Sequence, residues 1–292
     1  MKTLVTGGGG QLAKALLRTT VEDHEVCVHG VETLDITSSR QVDDVVRCMR
    51  PEMIINTAAF TAVDDAESDE CFAAKVNDRG PGILAEAAKK YGSRLLHIST
   101  DFVFDGSSSR PWLTTDPTNP ISVYGRTKRD GERAVMDSGL EEWTIVRTAW
   151  LYDGTSPNFF STMIRLMNER DEIGVVSDQT GTPTLADSLA NAVWCLVEKG
   201  TTGMHHWTDS GSTTWHGFAT AIEEIARETG LLESRTIIKP IATEEYPTPA
   251  RRPGFSVLDM TKTWNALEGT RAMPPVDWRE NLKKMIKEKV RV

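Results

Sequence analysis

At 292 residues, with 39% hydrophobic and 26% charged residues, the chain has the composition of an ordinary globular protein and the length of about two domains. Its 33 Lys and Arg stand against 42 Asp and Glu, a formal net charge of −9 that argues against a broad phosphate-neutralising face and so against nucleic acid as a partner. No run approaches the ~20 apolar residues of a membrane span, and the apolar stretch before the first glycines is too short for a signal peptide. Cys27, Cys48, Cys71 and Cys195 are scattered, with no C-x-x-C spacing and no histidine at ligand distance. They read as free thiols in a reducing compartment, and a cytoplasmic enzyme without a membrane partner is expected.

In chain order, short apolar runs at Thr3–Thr6, Glu25–Val28, Met53–Asn56, Leu95–Ser99 and Thr144–Arg147 read as strands. Helical patterns fill most of the gaps, at Gln11–Thr20, Ser39–Arg50, Ala73–Lys90 and Tyr124–Ser138. Strands alternating with longer helices are the sequence form of βαβ units, and continuous apolar strands imply a parallel sheet covered on both faces. The fold expected is α/β, a doubly wound parallel Rossmann sheet with a smaller mixed α/β substrate domain. After Trp150 the pattern loosens: helices are expected at Phe159–Arg170, Leu185–Lys199, Trp215–Thr229 and Trp278–Lys289, and strands at Ile173–Val176, His205–Trp207 and Thr236–Ile241. The expected division is a dinucleotide-binding unit over 1–150, with about 184–208 returning to it, and a substrate unit over the rest of 151–292.

The run Gly7-Gly8-Gly9-Gly10-Gln11-Leu12-Ala13 lies between the first strand and the first helix. There glycines let the backbone approach a pyrophosphate, and the helix N-terminus supplies N–H donors. The spacing fits G-x-x-G-x-x-A through Gly7, Gly10 and Ala13. No Lys-Ser or Lys-Thr follows, which excludes a Walker phosphate loop. At the end of the second strand neither a carboxylate for an NAD ribose nor a base for an NADP phosphate stands out. His29 fits a phosphate contact or an exposed loop, while Asp35 and Ile36 are placed to line an adenine slot. NADPH or NADH therefore both fit.

Tyr124 and Lys128, at i and i+4, project from one face at the start of a helix. A phenol has a reference pKa near ~10, and bringing it to ~7 takes about 4 kcal/mol, which an adjacent ammonium in a dry cleft supplies. Upstream, Ile98-Ser99-Thr100-Asp101 ends a strand and delivers a hydroxyl to the sheet edge where open α/β folds bind ligands. Thr100, Tyr124 and Lys128 together read as a reduction site.

At this point the chain resembles the short-chain dehydrogenase/reductase superfamily in its extended, nucleotide-sugar-acting branch, and within it the dTDP-4-dehydrorhamnose reductase family. The segments that carry the resemblance run nearly end to end: TGGGGQLA, INTAAFTAVDDAE, HISTDFVFDG, YGRTKRDGE, RTAWLY, SDQTGTPT, TTWHGFA and YPTPARRPGFS. It implies reduction of the C4 keto group of dTDP-4-dehydro-6-deoxy-L-mannose by NADPH or NADH, with NADPH the first choice. Tyr124 would donate the proton, Lys128 would tune it and hold the nicotinamide ribose, and Thr100 would orient the carbonyl. Gly7, Gly10, Gln11 and Leu12 would hold the pyrophosphate, with Ala58, Ala59 and Thr61 lining the cofactor channel. Val63, Asp101, Phe102 and Trp150 would face the sugar, and Gln179 and Arg252 the nucleotide end.

Three positions depart from the family pattern: Phe60 replaces a common His, Phe102 a common Tyr, and Phe255 a usual Asn. These leave the reducing trio intact and bear on substrate identity. Some relatives are described as metal-bridged dimers held by acidic residues near the first helix. Here that position corresponds to Ala15, so no structural metal is expected, and a monomer or a homodimer are both open. The same resemblance extends to a non-catalytic regulator, the β subunit of methionine adenosyltransferase. The complete trio with the SDQTGTPT and RRPGFS segments favours the reductase over it. A reductase of another nucleotide sugar is a further alternative. A 4,6-dehydratase would want Asp-Glu after the threonine, where this chain has Asp101-Phe102.

Overall fold

The computed structural model describes residues 1–290, so the last two residues of the expected 151–292 unit lie outside it. The first half runs β1 (Lys2–Thr6), α1 (Gln11–Arg18), β2 (Glu25–His29), α2 (Ser39–Met49), β3 (Met53–Asn56), α3 (Val63–Ser68), α4 (Glu70–Ala74), α5 (Gly80–Tyr91), β4 (Arg94–Thr100), α6 (Val123–Asp137) and β5 (Trp143–Thr148). The second half begins with β6 (Leu151–Tyr152), α7 (Phe159–Glu169), β7 (Glu172–Val176), β8 (Thr180–Gly181), β9 (Thr184–Leu185) and α8 (Ala186–Glu198). It continues through β10 (Gly203–His206), β11 (Thr213–Thr214), α9 (Trp215–Glu228), β12 (Ile237–Ile241), α10 (Thr261–Leu267) and α11 (Trp278–Val290).

The main sheet has the order β10-β5-β4-β3-β1-β2, and every neighbouring pair is parallel. The fold is thus the expected Rossmann-like α/β sheet flanked by helices. One apolar layer, including Leu12, Leu16, Leu189, Val193 and Trp194, packs α1 and α8 on one face. The other, including Val42, Val46, Leu84, Ala88 and Val135, packs α2, α5 and α6 on the opposite face. β1 pairs with β2 on one side and β3 on the other, so successive connections leave in opposite directions and open a crevice at the carboxyl ends of these strands. A separate core, including Phe160, Met163, Phe218, Ile222 and Leu282, joins α7, α9 and α11 beside the parallel pair β7–β12.

Two local expectations change. β2 is an edge strand with Glu25 and Cys27 exposed, so it is not covered on both faces. The expected helix Ala73–Lys90 is broken: a π-turn at Lys75–Arg79 separates α4 from α5, whose first turn carries Pro81. The irregular turn has a use. It swings Asn77 inward, where Asn77 Oδ1 accepts from Phe60 N at 2.8 Å and Asn77 Nδ2 donates to Phe60 O at 3.0 Å, fixing the loop after β3.

Beneath the sheet edge, β4, β5 and α6 share a buried ion pair. Arg147 Nη2 meets Glu132 Oε2 at 2.7 Å and Arg147 Nε meets Glu132 Oε1 at 2.8 Å, while Ser99 Oγ donates to Glu132 Oε1 at 2.6 Å. Both charged side chains are almost fully buried. Removing one partner strands the other in a dry site. Arg147→Met is expected to lower stability by about 3–5 kcal/mol, and pairing it with Glu132→Gln to recover part of that loss, as measured by denaturant unfolding.

Candidate active site

The glycine turn is shaped for close approach. Gly7 has φ +78°, and a Cβ there would sit 2.7 Å from Ala58 N and 2.8 Å from Thr57 Oγ1, so only glycine lets the turn lie against the loop after β3. Gly10 N donates to Gly7 O at 2.9 Å, and Gly10 caps α1 with no side-chain hydrogen bond. The first N–H groups of α1 are left for a ligand. The Gln11 side chain is already engaged: its Nε2 donates to Leu151 O at 3.0 Å and its Oε1 accepts from Asn158 Nδ2 at 3.3 Å. It ties the turn to the second half of the chain.

A cavity of about 930 Å³ opens from this turn along the carboxyl ends of the strands. Gly7, Gly10, Gln11, Leu12, Asp35, Ile36, Ala58, Ala59 and Thr61 border it, as do Val63, Thr100, Asp101, Phe102, Tyr124, Lys128, Trp150 and Arg252. Gln179 does not; it borders a second cavity of about 560 Å³, where its Nε2 donates to Thr243 Oγ1 at 3.0 Å. Arg252 and Trp215 border both. His29 lies outside the cavity, with Nδ1 at 3.1 Å from Thr33 Oγ1. Sequence reasoning missed Trp215, which stacks on Trp150 with centroids 3.6 Å apart. It lay in the TTWHGFA segment, but only the fold brings it to Trp150. Trp150 itself sits at φ +45°, a backbone strain carried at the cavity wall.

Helix α6 brings the trio together. Ser122 caps it by accepting from Gly125 N at 3.1 Å, and Val123 N donates to Glu67 Oε1 at 2.8 Å. Gly125 presses on the Phe102 carbonyl, where a Cβ would collide, so the first turn of α6 rests on the turn after β4 and sets Tyr124 beside Thr100. Thr100 Oγ1 donates to Asp101 Oδ1 at 3.0 Å, and Asp101 Oδ2, buried, has no hydrogen-bond partner. Burial pushes the Asp101 carboxyl up to about 6, with the Ser256 and Thr100 hydroxyls pulling the other way.

The electrostatics depart from the expectation that Lys128 brings the phenol near neutrality. Burial pushes Tyr124 up to about 12, the Thr100 hydroxyl pulls it down, and the Asp101 carboxylate adds to the rise. Lys128 Nζ donates to Ile98 O at 2.7 Å, so the sheet edge holds the amine. Burial lowers Lys128 to about 8, with Glu132 one turn on opposing the shift. In this state the phenol keeps its proton across the neutral range, and the lysine is the group poised to titrate.

A parallel sheet with a glycine turn at its switch point, and a phenol and amine over the end of β4, define a dinucleotide-dependent oxidoreductase of the short-chain dehydrogenase/reductase type. The chain belongs to the RmlD substrate binding domain family, whose model matches residues 1–291. It is 39% identical over 290 residues to the dTDP-4-dehydrorhamnose reductase of Aggregatibacter actinomycetemcomitans, covering 97% of each chain. At 39% over 286 residues, 97% of this chain and 94% of the relative, it is also similar to a probable dTDP-4,6-dihydroxy-2-methyloxan-3-one 4-ketoreductase of Streptomyces antibioticus. Among solved structures, dTDP-4-dehydrorhamnose reductase from Bacillus anthracis in complex with NADP superposes with a TM-score of 0.92 at 34% identity, covering 98% of this chain and 99% of that one.

The pH dependence follows from these groups. Lys128 is charged below about pH 8 and loses its proton above it. The kcat/KM profile is therefore expected to fall on the alkaline side near that value, well before Tyr124 ionises. A profile flat until the phenol range would remove Lys128 from the ionisation that matters.

Proposed function

We propose that this chain reduces the C4 keto group of dTDP-4-dehydro-6-deoxy-L-mannose (dTDP-4-dehydro-L-rhamnose) to dTDP-L-rhamnose, with NADPH or NADH. The observation that carries the reading is that Thr100, Tyr124 and Lys128 all line the cavity that begins at the glycine turn. The unfilled N–H groups of α1 and the close approach at Gly7 suit a pyrophosphate, and Asp35 and Ile36 border the same cavity toward the adenosine end. A reduced nicotinamide held there would supply the hydride for C4.

The remaining chemistry belongs to side chains. Tyr124, kept protonated by burial, gives its proton to the carbonyl oxygen as C4 is reduced. Thr100 turns its one hydroxyl proton from Asp101 Oδ1 to that oxygen and holds it before the phenol. Lys128 stabilises the phenolate left behind and holds the nicotinamide ribose. Asp101 Oδ2, lacking a partner, accepts from a sugar hydroxyl. Trp150, Phe102 and Val63 form apolar walls for the sugar.

Arg252 lies where the two cavities meet, the place for a diphosphate between a sugar in the first and a nucleoside beside Gln179 in the second. It is presented by Asp64 across the cleft: Nη2 to Asp64 Oδ2 is 2.7 Å and Nη1 to Asp64 Oδ1 is 3.1 Å. The cleft divides a dinucleotide-binding unit, 1–150 with about 184–208, from a substrate unit. β10 pairing with β5 and α8 packing on α1 support that division.

A second reading, reduction of another nucleotide-sugar ketone, is favoured by one observation. Phe102 packs edge-on against Tyr124 with centroids 5.5 Å apart, and it brings no hydroxyl to the sugar where the family commonly has a tyrosine. A non-catalytic regulator is disfavoured, because a regulator has no use for a lysine buried at a cost beside an intact phenol. Among the described residues no helix is long and apolar enough to cross a membrane. A cytoplasmic monomer or homodimer accords with the reading.

The deciding assay follows reduced-cofactor oxidation with the dTDP-4-keto sugar made in place, NADPH and NADH side by side. Tyr124→Phe is expected to lose about 10²–10⁴-fold in kcat with cofactor affinity unchanged. No oxidation of either cofactor by wild type, with cofactor still bound, would transfer the search to other nucleotide sugars. Arg252→Ala is expected to raise KM for the nucleotide sugar about tenfold or more while leaving cofactor affinity intact; an unchanged KM would exclude Arg252 from the substrate site.

A further inference from the structure

A buried polar chain runs through the sheet behind Lys128, and the mechanism above does not use it. Thr6 Oγ1 donates to Asn56 Oδ1 at 2.6 Å, Asn56 Nδ2 lies 2.9 Å from His97 Nδ1, and His97 Nε2 lies 3.5 Å from Lys128 Nζ. Thr6, Asn56 and His97 are fully buried on adjacent strands β1, β3 and β4.

Donor and acceptor bookkeeping leaves one arrangement. Ala58 N, which can only donate, points at Asn56 Oδ1 at 3.1 Å, so that atom is the amide oxygen and the other is the NH₂. The NH₂ donates to His97 Nδ1, which must then carry a lone pair. Burial and the neighbouring Lys128 hold His97 neutral, its pKa well below the ordinary value. A neutral ring without a proton on Nδ1 carries it on Nε2, the atom that faces Lys128. An ammonium has three donors and no acceptor, so it gains no hydrogen bond from this neighbour; a neutral amine accepts one.

We propose that His97 is a positioning residue for Lys128: locked as the Nε2–H tautomer, it turns a donor toward the amine, which can give the sheet only the proton bonded to Ile98 and keeps its other N–H groups for the cleft. This deepens the reading of Lys128 given above. It also sets which groups govern the lysine's titration. From β4, His97 and the Ile98 carbonyl face it; from its own helix, Tyr124 and Glu132; Asp101 lies across the phenol. Arg147 of β5 reaches it through its pair with Glu132. Among these, the Glu132 carboxylate favours the ammonium, while the neutral His97 ring, turning its N–H to the amine, opposes it.

The test uses long-range ¹H–¹⁵N spectra of the full chain labelled at histidine nitrogens, with His97 assigned by its loss in His97→Gln. Nε2 protonated and Nδ1 bare through the neutral range is the expected result; a proton on Nδ1, or a charged ring, overturns the proposal. These spectra need no substrate, so an incorrect substrate leaves them unaffected. In activity, His97→Gln can turn an amide oxygen to the amine, and the alkaline limb of kcat/KM is expected to move up by about one pH unit. A loss of activity that is equal at every pH, with the limb unmoved, would assign His97 a packing role and overturn the proposal. Should His97→Gln fail to fold, the wild-type ring, assigned through its response to Asn56→Ser, decides by its tautomer alone.

Discussion

An amine buried to 2% exposure at the carboxyl end of β4 is the constraint around which the cleft is arranged. Burying an ammonium costs several kcal/mol unless its protons are met. Here one is met by the carbonyl of Ile98, one residue past the last β3–β4 pair, and a carboxylate one turn along α6 adds a favourable field. That carboxylate, Glu132, would itself be intolerable without Arg147 and Ser99. The charge balance of the site thus extends through β4, β5 and α6, and these three elements must register together before the lysine can exist where it does.

The same economy explains Tyr124. Its neighbours are Thr100, the last residue of β4, and the buried Asp101, the first of the turn that follows, and the helix carrying the phenol is pressed on that turn by the absence of a side chain at Gly125. The phenol is consequently a held proton in this state, not a half-ionised group. In the proposed reduction the amine supplies the charge that tips it, and by the inference drawn from His97 that amine is tuned from behind by the sheet.

The opposite wall comes from the second half of the chain. Trp150 and Trp215 stack where the two cavities meet, and the Arg252–Asp64 pair spans from that half to α3. Apolar stacking and a partly exposed ion pair differ in kind from the dry network under Lys128. In the proposed reading the first offers the ligand a surface, and the second is accessible enough to exchange one anionic partner for another.

Much of this was legible in the residues. Strand and helix periodicity yields the doubly wound sheet, the glycine run after β1 marks a phosphate turn, and the i, i+4 relation of Tyr124 and Lys128 puts both on one face, because each of these depends on neighbours a few residues apart. The break at Lys75–Arg79 was not legible, since it exists to turn Asn77 toward Phe60, a partner supplied by another element. Nor was the covering of β2, which depends on its place at the sheet edge. The pairing of Trp215 with Trp150, of Arg252 with Asp64, and of Asn56 with His97 joins residues far apart in the chain. The sequence by itself determined the fold class and singled out the candidate reducing groups. Their protonation was decided only by tertiary structure, because desolvation and the direction of each hydrogen bond are set by which distant atoms close over a group.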